Sequence, residues 1–136
     1  MISRQDIEAA RERVSPVIRR TPAELSSSLS ARVGRPVILK PEYLQRTGSF
    51  KIRGAYNLIS RLAPGTPVVA ASAGNHAQGV ALAATLTGRA STIFMPVNAP
   101  LPKVEATRAY GAEVCLIGAV VDESMAAAKA HAAETG

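Results

Sequence analysis

Two short segments of the chain carry the residue types best suited to chemistry. In Ser49-Phe50-Lys51-Ile52-Arg53-Gly54, a helix opening at Ser49 puts Lys51 in its first turn. The partial positive charge of a helix N-terminus, and any burial, disfavour an ammonium there and favour the neutral amine, the form that attacks a carbonyl carbon to make an imine. The plainer alternative is a lysine that reaches sideways into water. In Ser72-Ala73-Gly74-Asn75-His76, a turn leads from a strand into a helix. Several backbone N–H groups are then left without helical partners and suit an anion such as a carboxylate. Gly74 allows a ligand close to the backbone, Asn75 offers an amide and Ser72 a hydroxyl. Here the plainer alternative makes Asn75 an N-cap and Gly74 a turn residue.

Other chemistries are poorly served. No G-x-G-x-x-G occurs. Gly74 and Gly79 have the outer spacing of a P-loop, but Val80 and Ala81 stand where it needs Lys and Ser or Thr, so neither a dinucleotide site nor an NTPase is supported. The single Cys115 forms no disulfide framework, and with His76 and His131 far apart no metal site is expected. Cys115 reads as a small hydrophobe in a strand, and His131 as a partner for the C-terminus of an Ala-rich helix.

Both segments need a scaffold, and the pattern supplies one. A capping box, Ser3 with Asp6, opens a first helix that Pro16 ends or bends. Thr21-Pro22 is a second helix start, with Leu25, Leu29 and Val33 on one face and Gly34 after its end. Val37 to Lys40 reads as a strand. Helices are expected over 50–62, 75–87, about 102–111 and 122–135, alternating with strands over 68–72, 91–95 and 113–117. Short apolar strands separated by helices are the mark of βαβ units. The expected class is α/β, an open doubly wound parallel sheet with helices on both faces. Such sheets place ligands at the carboxyl ends of their strands, where Pro41 to Ser49 and Ser72 to Asn75 are expected to lie.

Composition agrees. The chain of 136 residues is 47% hydrophobic but 4% aromatic with no Trp, so its core must be aliphatic. No apolar run approaches the length needed to cross a bilayer, and the charged start does not resemble a secretory signal, so a cytoplasmic protein without a membrane partner is expected. Residues 1–61 hold 12 Lys/Arg against 5 Asp/Glu, and residues 62–136 hold 4 against 5. The basic residues stand singly apart from Arg19-Arg20, without interleaved aromatics, so nucleic acid is not expected as a partner.

The segment Glu42-Tyr43-Leu44-Gln45-Arg46-Thr47-Gly48-Ser49-Phe50-Lys51-Ile52-Arg53-Gly54-Ala55 resembles the cofactor-lysine segment of threonine dehydratases, which are fold-type-II pyridoxal-phosphate enzymes. Ser72 to Ala81 resembles their Asn-bearing turn. Arg20-Thr21-Pro22, Phe94-Met95-Pro96, Lys103-Val104 and Tyr110-Gly111-Ala112-Glu113-Val114 are similar too, in order and spacing over nearly the whole chain. The resemblance implies pyridoxal 5′-phosphate as cofactor, a Schiff base at Lys51, and Lys51 as the base that takes the substrate Cα proton. It implies that Phe50 packs near the pyridine ring and Asn75 bonds the ring oxygen beside the imine. It also implies that Ser72, Ala73, Gly74, Asn75 and His76 hold the substrate carboxylate. The product would be a 2-oxo acid and ammonia from a small-molecule amino acid, threonine or serine, in isoleucine biosynthesis or threonine catabolism.

Cysteine synthase-like relatives resemble Ser-Val-Lys-Asp-Arg at the lysine and fit poorly. Serine racemases carry a second Ser in the turn as a base, where Ala73 stands here, so dehydration is favoured over racemisation. A serine racemase-like enzyme and a non-catalytic amino-acid-binding α/β module remain the alternatives. The family's phosphate-binding glycine run has no counterpart in a chain without Gly-Gly. The chain is therefore expected to be the N-terminal part of a longer homo-oligomeric enzyme and to be inactive alone. Residues 1–49 would belong to the large cofactor domain and 50–136 to the small α/β domain.

Overall fold

The computed structural model describes residues 1–135. Helix α1 spans Arg4–Val14, and the capping box forms as the sequence predicts: Asp6 N donates to Ser3 Oγ at 3.2 Å and Ser3 N to Asp6 Oδ2 at 2.8 Å. The next segment departs from expectation. Glu24–Leu25 is a short strand, β1, paired antiparallel with β2, Ile38–Leu39. Helix α2 therefore starts not at Thr21-Pro22 but at Ser27, and runs over Ser27–Val33. Its N-cap is Ser26, whose Oγ accepts from Leu29 N at 3.4 Å, and it stops at Gly34 with φ 76°. A residue already paired in a ladder cannot also serve a helix, so the Pro signal yields to strand pairing. The strand expected at 37–40 is thus part of a two-residue antiparallel ribbon and does not join the parallel sheet.

From Lys51 onward the alternation holds. Helix α3 is Lys51–Ile59, β3 is Val68–Ala71, α4 is Asn75–Leu86, β4 is Ser91–Met95, α5 is Leu101–Ala109, β5 is Glu113–Leu116 and α6 is Val121–Thr135. The three strands form a parallel sheet in the order β3-β4-β5, with Val68 opposite Ser91 and Thr92 opposite Glu113. Successive side chains of a strand face opposite sides, and β4 shows what each side buries. Ile93 and Met95, both fully buried, face a core built with Ile52 and Ile59 of α3, Val80 and Ala81 of α4 and Val104 of α5. Phe94, between them, meets Ala71 and Ala128 of α6 on the other face. Helices thus cover both faces, as the α/β class requires. His131 does not serve the end of α6, because its ring packs against Phe94 with centroids 5.5 Å apart. Cys115 lies in β5, half-buried, as a small side chain against that second cluster.

Residues 1–49 contribute little apolar packing. Val14 is their one buried hydrophobic residue, whereas Leu25 is 62% exposed and Ile38 65%. They are joined to the rest by polar contacts. The segment is also tied internally, where buried Gln45 exchanges hydrogen bonds with the Arg19 backbone at 2.8 and 2.7 Å. The Arg13 guanidinium donates to Asn57 Oδ1 of α3.

Candidate active site

Lys51 is the first residue of α3. Phe50, not Ser49, holds the N-cap position, and no side chain caps it. Ser49 Oγ still accepts from Lys51 N at 3.3 Å, so the buried serine supports the helix start without being its cap. The chain enters through two left-handed residues, Thr47 (φ 63°) and Gly48 (φ 65°). Left-handed backbone is strained for a β-branched residue, and here it immediately precedes the candidate lysine. The side chain of Lys51 is exposed, with Nζ 5.3 Å from the Phe50 ring centroid. Among the described residues it has no carboxylate partner and no hydrogen-bond acceptor.

A cleft of about 230 Å³ lies beside it, lined by Phe50, Lys51, Gly54, Ala55 and His76. The two segments singled out in the sequence therefore meet in space. His76 is exposed, yet its imidazole pKa is lowered, first by partial desolvation of the ring and then by the Lys51 ammonium.

The turn before α4 uses some of its backbone donors and leaves others without acceptors among the described residues. Ser72 N is used by Phe94 O at 3.0 Å, Gly74 N by Ser72 Oγ at 3.2 Å and Ala77 N by Gly74 O at 3.2 Å. The amides of Ala73, Asn75 and His76 have no acceptor among the described residues. Gly74 is the N-cap residue, with no side-chain cap, so Asn75 is the first helical residue and not the cap. Its side chain is used elsewhere: Lys103 Nζ of α5 donates to Asn75 Oδ1 at 2.5 Å.

Three supporting residues escape a reading by type alone. Gly79 of α4 faces the start of α3 so closely that a Cβ there would stand 3.1 Å from the Lys51 carbonyl carbon and 3.2 Å from Ile52 N. Arg53, two residues past Lys51, forks onto Glu42, with Nε–Oε2 2.7 Å and Nη2–Oε1 2.8 Å. Thr21 Oγ1 also donates to Glu42, at 2.6 Å, and Lys40 Nζ donates to Thr21 Oγ1 at 2.7 Å. The Arg53 hydrogen bonds hold the Glu42 carboxyl down at about 2, against the opposing effect of burial. Lys103 is the third. Beyond its place in the Lys103-Val104 similarity, its signal by residue type is the one that flags Lys51, a cation in the first turn of a helix.

The family model described as pyridoxal-phosphate dependent enzyme matches residues 14–136. An L-threonine ammonia-lyase of Thermotoga maritima is 50% identical over 139 residues, an alignment covering 100% of this chain and 35% of that protein. A threonine deaminase from T.th. superposes with a TM-score of 0.87 at 42% identity, covering 99% of this chain and 43% of that one. Maize serine racemase superposes equally well, TM-score 0.87 at 41% identity, covering 96% and 40%. The chain spans about a third of the length of the curated relatives it matches.

Proposed function

This chain belongs to the pyridoxal-phosphate dependent enzyme family, and on that premise we propose that the whole protein converts L-threonine, and L-serine beside it, to a 2-oxo acid and ammonia. The observation that carries the proposal is one cleft shared by Lys51 and His76, in which the lysine amine has no partner among the described residues. His76 belongs to the first turn of α4, at whose head the amides of Ala73, Asn75 and His76 have no acceptor among the described residues. That donor set fits the reactive end of the cofactor: an amine free to bond an aldehyde carbon, an aromatic ring beside it, and an amide on Asn75. The phosphate is assigned to a part of the whole protein outside this chain, as are the residues that meet the pyridine nitrogen.

When bound, pyridoxal phosphate supplies a sink for the electrons left at the substrate Cα. Lys51 Nζ would hold the cofactor and would take the substrate Cα proton as general base. The amides of Ala73, Asn75 and His76 bind and orient the substrate carboxylate, with Ser72 and Gly74 shaping the turn. Phe50 would pack beside the cofactor ring, and Asn75 Nδ2 would donate to the ring oxygen. Ala73 carries no proton that it could deliver from the opposite face, which favours loss of the β-hydroxyl over racemisation.

The same proposal assigns residues 1–49 to a larger cofactor domain and 50–136 to a small α/β domain. It places the protein in the cytoplasm as a homo-oligomer. The lone free thiol supports the first of these, and the exposed Leu25 and Ile38 support the second. No described helix is long and apolar enough to cross a membrane.

Borohydride reduction of the full-length protein loaded with pyridoxal phosphate tests the assignment. The label is expected on Lys51, and Lys51→Ala should remove it and lower 2-oxo acid production by about 10³-fold or more. A label on Lys40 or Lys103 would overturn it, and so would interconversion of D- and L-serine as fast as elimination.

A further inference from the structure

We propose that Lys103 is a positioning residue that sets the orientation of the Asn75 amide, so that its NH₂ group faces ligand. The inference rests on the cofactor role proposed above for Asn75. An asparagine amide has a donor end and an acceptor end that differ little in shape, and only its partners decide which way it points. Lys103 Nζ lies 2.5 Å from Asn75 Oδ1. An ammonium has donors and no acceptor, so it can hold only the oxygen end. The Nδ2 end is thereby turned away from Lys103, and it has no acceptor among the described residues. A free donor fixed in one orientation, on the first residue of α4, suits an anionic oxygen such as that on the cofactor ring.

The placement of Lys103 supports a role beyond solvation. It is half-buried in the first turn of α5, where the helix end repels a cation, and its backbone N donates to Pro100 O at 2.8 Å. The contact with Asn75 spans 28 residues of sequence and links α5 to the head of α4. The sheet order explains how they meet: α4 follows β3 and α5 follows β4, and adjacent parallel strands bring the starts of the two helices side by side.

The test uses the full-length protein and five variants, Lys103→Met, Lys103→Gln, Lys103→Arg, Asn75→Ala and the double variant Lys103→Met with Asn75→Ala. Two quantities are read: the cofactor dissociation constant, and the pH midpoint of the absorption of lysine-bound cofactor. Donation to the ring oxygen draws electron density from the neighbouring imine nitrogen and lowers its proton affinity. Lys103→Met should therefore weaken cofactor binding about tenfold and move the midpoint up by about one pH unit. Lys103→Arg should restore both, and Lys103→Gln, a neutral donor that holds either end of the amide, should fall between. Because Lys103 acts through Asn75, adding Lys103→Met to Asn75→Ala should produce no further loss. Full additivity of the two changes would overturn the inference, as would a Lys103→Met protein with unchanged affinity and midpoint. Should Lys103→Met fail to fold, Lys103→Gln carries the same comparison with Asn75→Ala. A borohydride label absent from Lys51 would instead sink the proposed function and this inference with it, whereas a label on Lys51 with silent Lys103 variants sinks this inference alone.

Discussion

The segment before Lys51 and the body after it are held by different physics. The body is an aliphatic core in which Ile52, Ile93 and Met95 are fully buried and small alanines let helices approach the sheet. The earlier segment buries one aliphatic side chain, Val14, and is held by a polar lattice through Arg19, Thr21, Lys40, Glu42, Gln45 and Arg53. Apolar burial is non-directional, whereas a fork of Arg53 on Glu42 fixes angle and distance. The candidate lysine sits at the seam, its helix packed on one side by the core and tied on the other by the ion pair.

Core truncation should have the largest effect on stability. Ile93→Ala should destabilise the 136-residue chain by about 2–5 kcal/mol in a denaturant melt. A loss below about 1 kcal/mol would show that the core is looser than the burial indicates. Next, Gly79→Ala should cost about 1–3 kcal/mol, because the added methyl meets Lys51 and Ile52 backbone and not a flexible side chain. It should also weaken cofactor fixation on Lys51, which Ile93→Val should leave unchanged.

The polar lattice predicts an acid-sensitive seam. Glu42 has a carboxyl pKa lowered to about 2, so its contribution is complete above the ordinary value of 4.5 and disappears as pH falls through that window. The stabilisation is about 2 kcal/mol after discounting for its partial exposure. Glu42→Gln should therefore narrow the stability difference between about pH 6 and about pH 2.5, read by urea melts. An unchanged acid limb would assign the acid sensitivity to another carboxylate. The smallest effect is expected at Leu25: Leu25→Ala should stay within about 0.5 kcal/mol in the chain. A larger loss would reveal that this exposed side chain is covered in solution.

How much of this was legible in the sequence follows the same division. The strands β3 to β5 and the helices between them announce themselves, because burial of whole elements imposes a period on the residues. Lys51 and the turn at Ser72 draw notice for a local reason, the electrostatics of a helix start, but that signal leaves the plainer readings open, and the resemblance of the segments around them is what makes them site candidates. The two-residue strands β1 and β2 have no period to read, and Pro22 gives a valid helix-start signal that pairing of Glu24 and Leu25 overrides. Likewise Lys103 on Asn75, Gly79 against Lys51 and Arg53 on Glu42 join residues 28, 28 and 11 positions apart, and no local pattern encodes such meetings. His131 departs from its expected role for the same reason: its partner is Phe94, on the strand that α6 packs against.

The close approach at Gly79 also limits how the site can move. Between α3 and α4 there is no side chain at that point whose rotation could absorb displacement; backbone rests nearly on backbone. The backbone at the start of α3 and helix α4 therefore travel as one rigid unit on the timescale of side-chain motion. Any hinge that opens the candidate site must lie outside this pair, in the segments that flank it, and must carry the start of α3 and the head of α4 together.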